Sequence, residues 1–244
     1  MLIAKRARVR KGFWYWLVII ILKPWLQLFT RRDWRHAELL PNEGPLLVCS
    51  NHISNFDFAA VGHFLHDNGR PPRFLAKSEL FKFGLVAKWL RATGQIPVYR
   101  GTMHAADALR EAEAALAGGE CVVIYPEGTL TRDPDLWPMT ALSGTARLAI
   151  TTGVPLYPIA QWGSHRVIPN SGRGFFIFNR HLLKVSVAPA VDFSEFHGLE
   201  LDTEVLARAT DKLMWAITAE LAILREEPMP ARLWDRRRRL DEES

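Results

Sequence analysis

Short apolar runs at residues 46–50, 73–77, 95–99, 121–125, 156–161 and 184–189 alternate with longer stretches whose apolar residues recur at helical spacing. The longer stretches, 58–67, 80–92, 104–117 and 141–152, read as helices. In the third, Ala105, Ala108, Leu109, Ala112 and Leu116 share one face, and Gly118-Gly119 ends it. A strand period that gives way to a helical period and returns is the rhythm of βαβ units, whose crossovers force strands to run parallel and place helices against the sheet. The expected fold is therefore α/β, a largely parallel mixed sheet flanked by helices, with a further long helix at 201–224. At 244 residues, 48% of them hydrophobic, the chain is long enough for one domain with a sizeable core. The expected organisation is an N-terminal helical element over 1–40, a main domain over 41–230 and a charged tail over 231–244.

The first element has its own chemistry. Lys5, Arg6, Arg8, Arg10 and Lys11 precede an unbroken apolar run, 13–22, which Lys23-Pro24 interrupts before Trp25-Leu26-Gln27-Leu28-Phe29. The run falls short of the roughly 20 residues that span a bilayer, and no small-residue cleavage site follows it. Tryptophan and tyrosine favour the headgroup level, and juxtaposed cations favour anionic cytoplasmic lipid. This predicts a membrane-anchoring element lying in the interface, with the protein peripheral or monotopic on the cytoplasmic face of a cell membrane. An ordinary amphipathic core helix and a tilted span are the competing readings. Cys49 and Cys121, both inside apolar runs, fit a reducing compartment and offer neither a disulfide framework nor a metal quartet.

In a parallel sheet, ligands gather beyond the carboxyl ends of the strands, and chemistry-bearing residues cluster there. After the first run comes Asn51-His52-Ile53-Ser54-Asn55-Phe56-Asp57; after the second, Lys77-Ser78-Glu79; the third ends in Tyr99-Arg100-Gly101, and the fourth in Tyr125-Pro126-Glu127-Gly128-Thr129-Leu130-Thr131-Arg132-Asp133. A histidine whose second nitrogen is held by a carboxylate can take a proton from a hydroxyl at neutral pH. In one continuous helix His52 and Asp57 would point about 140° apart, so they meet only if the backbone turns between them. Ser54 and Asp57 have the spacing of a capping box, which places a helix start at Ser54 and leaves His52 in the loop. Asp57 as a plain helix-start acid is the alternative. Gly128 and the turn after it could bring backbone N–H groups to a phosphate, with Arg132 nearby; a plain strand-to-helix turn is the alternative there. G-x-S-x-G, HExxH, Walker A and the dinucleotide glycine fingerprint are all absent, which disfavours a protein nucleophile and a metal site.

Taken together, these residues resemble the glycerolipid acyltransferases, in particular the 1-acylglycerol-3-phosphate O-acyltransferase family. The N-H-x4-D motif corresponds to Asn51, His52 and Asp57. The G-x-I-P-V strand with its arginine corresponds to Gly94 through Arg100-Gly101, and F-P-E-G-T-R-S to Tyr125-Pro126-Glu127-Gly128-Thr129. The V-P-x-x-P run corresponds to Val154-Pro155-Leu156-Tyr157-Pro158. The resemblance implies the glycerol-phosphate acyltransferase fold and a membrane-associated enzyme that moves an acyl group from acyl-CoA or acyl-carrier protein to a lysophospholipid hydroxyl. It needs no cofactor, no metal and no covalent acyl-enzyme. His52 would be the general base and Asp57 its orienter. Lys77, Arg100, Glu127, Gly128, Thr129 and Arg132 would bind substrate. Leu130 stands where the family usually has arginine, so another lysolipid or a glycolipid is the rival acceptor. A non-catalytic membrane lipid-binding protein is the rival from another class. The Arg236–Arg239 run, without aromatic interleaving, is a weak case for nucleic acid.

Overall fold

The structure, a computed structural model, describes residues 12–99 and 105–237. The basic block at residues 5–11, Arg100, Gly101, His104 and residues 238–244 lie outside the described residues. The chain forms helix α1 (Phe13–Phe29), strands β1 (Arg31–Arg35) and β2 (Leu46–Ser50), helix α2 (Asp57–Asp67), strand β3 (Pro72–Lys77), helix α3 (Gly84–Ala92) and strand β4 (Ile96–Val98). Helix α4 (Ala105–Ala117), strand β5 (Cys121–Ile124), helix α5 (Gly144–Thr152), strand β6 (Leu156–Trp162), the short helix α6 (Ser164–Val167), strand β7 (Leu182–Val187) and helix α7 (Thr203–Arg225) follow.

The strands make one seven-stranded sheet in the order β1-β7-β6-β2-β5-β3-β4. Every neighbouring pair is parallel except β6 and β7, which are antiparallel with Ala160 opposite Ser186. The sheet is the expected α/β arrangement, and its central strands show why. Every residue of β2 is buried. Leu46 and Val48 face the layer containing α2, while Leu47 and Cys49 face the layer of α4, α5 and α7. Burial on both faces is what makes a parallel strand a near-continuous apolar run rather than an alternating one. The chain leaves β2 toward β3 and β4, returns through β5, and then crosses to β6 on the other side of β2. The carboxyl ends of β2, β5 and β6 therefore border the point where the winding reverses, which is where such sheets open a crevice.

Several boundaries differ from the sequence-based expectation for physical reasons. The helix expected over 80–92 is divided into a 3-10 turn, Ser78–Lys82, and α3, because Gly84 at φ +23° breaks the helical run. Helix α2 begins at Asp57 rather than Ser54. Only half of a capping box forms: Asp57 reaches back to the Ser54 N–H, while Ser54 Oγ accepts from the Phe56 N–H and the Asp57 N–H donates to the Ser54 carbonyl. Strand β1, Arg-Arg-Asp-Trp-Arg, lies within the stretch 1–40 and pairs with β7. It has no apolar alternation to reveal it, only Trp34, whose indole packs edge-on against His63 and Phe64.

Helix α1 lies against α2 and α3 instead of extending away from them. Leu26 is buried in the core beneath α2. Lys23 forms an ion pair with Asp67 at 2.6 Å, the Tyr15 hydroxyl meets His66 Nδ1 at 2.6 Å, and Lys88 sits over the Trp14 ring. An ammonium group inside an apolar helix is tolerated when it is paired, and Asp67 provides the partner. Among the described residues, no helix is long and apolar enough to cross a membrane.

Gly163, which links β6 to α6, has φ +102°, and a Cβ there would overlap the Leu182 carbonyl in β7. Gly153 at φ +65° closes α5 with open space around it. Gly163→Ala should therefore cost more than about 2 kcal/mol of unfolding free energy, and Gly153→Ala only about 1 kcal/mol for its left-handed backbone. Urea denaturation of the two variants measures the difference. Equal losses would mean that the contact with β7 is not what requires glycine.

Candidate active site

The site begins where β2 ends. Asn51 is buried and pairs with the backbone of Gln161 in both directions, donating from Nδ2 at 3.0 Å and accepting the Gln161 N–H at 2.9 Å. A side chain thus extends the pairing of β2 with β6 past the end of the strand and fixes the direction in which the loop leaves. The next residue, His52, is fastened to the loop after β5. Its N–H donates to Glu127 Oε1 at 3.0 Å, and its carbonyl accepts the Thr131 N–H at 2.7 Å.

The backbone then turns around Asp57. Asp57 Oδ2 accepts from the N–H groups of Ile53 and Ser54 at 2.7 and 2.9 Å, and His52 Nδ1 lies 2.8 Å from the same oxygen. On the other side, the Ser164 hydroxyl donates to Asp57 Oδ1, and Ser164 Oγ also lies 2.9 Å from the Gln161 side-chain amide. Asp57 is fully buried, so its charge is balanced by these donors rather than by water. Because an ionised carboxylate only accepts, the proton of the neutral imidazole belongs on Nδ1 and the lone pair on Nε2. The His52 ring stacks on Tyr125, with centroids 4.2 Å apart and planes at 18°, and Tyr125 in turn lies parallel to Phe74. With one edge held by Asp57 and one face held by Tyr125, the imidazole has little rotational freedom.

His52 opens onto a cleft of about 470 Å³, which is also lined by Asn55, Lys77, Thr129, Leu130 and Arg132. Lys77, at the end of β3, is exposed there. Arg132 donates to the Arg236 carbonyl at 2.8 Å, so the C-terminal segment holds it at the rim. Gly128, at φ +71°, makes the turn that brings Thr129 and Leu130 to the cleft, and a Cβ there would approach Leu142 at 3.1 Å. Of the residues expected to bind substrate, Lys77, Thr129 and Arg132 therefore share the cleft with His52, and Gly128 shapes its loop. Arg100 lies outside the described residues.

Glu127 is placed differently: it is fully buried behind the loop, and its two oxygens accept the N–H groups of His52 and Met139. It ties the β2 and β5 loops together and does not line the cleft. Ser164 and Gln161 also belong to the site, and nothing local to 161–164 in the sequence marks them; only the β2–β6 pairing brings them to Asp57 and Asn51. A separate apolar cavity of about 100 Å³ lies between α1, α2 and α3, lined by Leu22, Leu26, Phe58, Phe74 and Trp89 among others. The Phe74 and Tyr125 rings stand between it and His52. Among the described residues, no group of three or more His, Cys, Asp or Glu side chains could hold a metal ion. Cys49 and Cys121 are buried, and burial pushes both thiols up, Cys121 to about 12.

Burial pushes the Glu127 carboxyl up to about 8, against the smaller opposing effect of its two N–H donors. Between the ordinary carboxylate range and about pH 8, the folded chain therefore holds a proton that the unfolded chain has released, so stability should fall as pH rises through that window. Glu127→Gln, neutral at every pH, should flatten this slope in urea titrations from pH 5 to 8. An unchanged slope would assign the pH dependence to other groups.

Residues 31–162, more than half of the chain, match the family model described as Acyltransferase. The chain is 26% identical over 169 residues to the chloroplastic 1-acyl-sn-glycerol-3-phosphate acyltransferase BAT2 of Brassica napus, covering 68% of this chain and 47% of that one. It is 26% identical over 188 residues to the chloroplastic LPAT1 of Arabidopsis thaliana, covering 75% and 49%. The chain thus spans about half the length of these relatives. The crystal structure of the 1-acyl-sn-glycerophosphate acyltransferase PlsC from Thermotoga maritima superposes with a TM-score of 0.67 at 23% identity, over 91% of this chain and 86% of that one, and shows the same fold. The family match covers β1 through β6, with the loops after β2 and β5 that carry His52, Asp57, Thr129 and Arg132: the chain belongs to the acyltransferase family.

Proposed function

We propose that the chain is a membrane-associated O-acyltransferase that moves a fatty acyl group from an acyl thioester, acyl-CoA or acyl-carrier protein, to a hydroxyl of a lysophospholipid such as 1-acylglycerol-3-phosphate. The observation that carries this reading is the 2.8 Å contact of His52 Nδ1 with buried Asp57, at the mouth of a cleft bearing Lys77 and Arg132. Held in the Nδ1–H tautomer, His52 presents Nε2 to an acceptor hydroxyl. As that hydroxyl attacks the thioester carbonyl, Nε2 takes its proton, and Asp57 stabilises the imidazolium. The collapsing tetrahedral intermediate expels the thiolate, which the same imidazolium can reprotonate, so the acyl group passes directly to the acceptor. No protein nucleophile is required, in keeping with two thiols buried away from the cleft.

Developing negative charge on the carbonyl oxygen needs fixed donors. The N–H groups of Thr129 and Leu130 have no acceptor among the described residues and belong to the loop that lines the cleft. They are the available oxyanion or phosphate donors. The apolar cavity beyond the Tyr125 and Phe74 rings has the chemistry to receive hydrocarbon. A similar reaction is named in the relatives' descriptions, which supports the lysophosphatidic acid acceptor.

One observation favours a second acceptor. Leu130 lines the cleft where the family usually places arginine, and Arg132 is engaged by the Arg236 carbonyl. Among the described residues lining the cleft, Lys77 is then the cation without a hydrogen bond to the chain, and an uncharged glycolipid or another lysolipid would place less demand on the site.

His52→Ala should reduce acyl transfer by about a thousandfold or more while thermal unfolding and vesicle binding stay as in the wild type. Retained turnover would remove His52 from the mechanism. Assay of the purified protein with one labelled acyl-CoA against lysophosphatidic acid, other lysophospholipids and glycolipids separates the acceptors. Lipid binding without any thioester consumption across the panel would leave a lipid-binding protein instead.

A further inference from the structure

Beyond the cleft, the segment between α6 and β7 carries a feature that the acyl-transfer chemistry does not use. Residues 172–180 read Gly-Arg-Gly-Phe-Phe-Ile-Phe-Asn-Arg. Ile177 is buried and anchors the segment in the core beneath α2, and the Phe176 N–H donates to the Val167 carbonyl at 2.8 Å. Although the backbone is held, the remaining three apolar side chains face outward, with Phe175 50%, Phe176 49% and Phe178 73% exposed. Phenylalanine clustered in this way on a surface marks an interaction site rather than ordinary scatter.

This patch does not stand alone. Phe175 stacks on Trp25 of α1, with centroids 5.9 Å apart and planes at 4°, and Phe178 packs edge-on against Phe29 at 5.1 Å. The same helix exposes Ile21 at 63% and Leu28 at 60%. Arg173 and Arg180 bracket the phenylalanines, and Arg31 follows α1 with its N–H on the His181 carbonyl. All three arginines are exposed and have no carboxylate partner among the described residues. Aromatic rings bordered by unpaired cations suit the boundary between acyl chains and anionic headgroups. A protein partner would need acidic groups around an apolar centre, which is a narrower requirement.

We propose that the loop at 172–180 is a second membrane-insertion element: Phe175, Phe176 and Phe178 enter the headgroup boundary of an anionic bilayer, and Arg173 and Arg180 meet lipid phosphates. The loop is also tied to the cleft. Asn170 donates to the Thr131 carbonyl at 3.1 Å, and Gly172 lies beside Asn55. Insertion here brings the mouth of the cleft to the lipid surface, where a lipid acceptor resides; this consequence alone rests on the acyl-transfer reading.

Nitroxide labelling tests the proposal on the full chain, because Cys49 and Cys121 are buried and a new surface cysteine is the reactive one. In Phe178→Cys, addition of mixed phosphatidylglycerol and phosphatidylcholine vesicles should lower the label's accessibility to a water-soluble nickel chelate and raise its accessibility to oxygen. A label at Asp211→Cys, exposed on α7 across the sheet, should not change. The paired substitution Phe176→Ser with Phe178→Ser should weaken vesicle partitioning about tenfold while leaving thermal unfolding unchanged. Vesicle-bound protein whose label at 178 stays open to the nickel chelate would overturn the proposal, as would failure to bind vesicles. A label already shielded without lipid would overturn it in favour of a protein contact.

Discussion

The buried carboxylate of Asp57 is the constraint around which the site is organised. A charged group removed from water must be met by donors, and Asp57 collects them from two distant parts of the chain: the loop after β2 and the start of α6. Meeting that requirement bends the backbone between residues 52 and 57 and decides where α2 begins. It also orients the imidazole.

The scaffold supplies those donors through sheet topology. β2 is central, so its end is flanked by the ends of β5 and β6, and both neighbours fasten it. Glu127, after β5, holds the His52 N–H; Gln161, near the end of β6, pairs with Asn51; Ser164, just past it, reaches Asp57. The tight passage at Gly163, beneath β7, is what lets α6 start close enough for Ser164 to do so. Glu127 carries a cost for its position, because a carboxyl buried with two N–H donors still prefers its neutral form. The same burial makes it a brace between loops.

Outside the sheet, α1 shows how an apolar segment can belong to the fold and still keep exposed apolar side chains. Lys23 and Tyr15 bind it to Asp67 and His66 on α2, Leu26 enters the core, and the 172–180 loop packs on its far end. On its outward side Ile20, Ile21 and Leu28 are exposed.

Much of this was legible in the residues. The limits of strand β2 are plain in the sequence, since full burial on both faces leaves an uninterrupted apolar run. The β3, β5 and β6 boundaries lay within one residue of the expected ones. Strand β1 was not legible, because an edge strand of mostly charged residues carries no periodic signal. Nor was the break at Gly84, where one backbone torsion overrides a helical pattern. The sequence by itself determined the α/β rhythm, the histidine and acid after β2, and the glycine-bearing turn after β5, because those follow from local period and residue type. Only the tertiary structure decided that Asn51 spends its side chain on Gln161, that Glu127 turns inward, and that Ser164 completes the shell of Asp57. Each of these contacts joins residues far apart in the chain, and the need to pair a buried polar group becomes specific only once the sheet has set its neighbours.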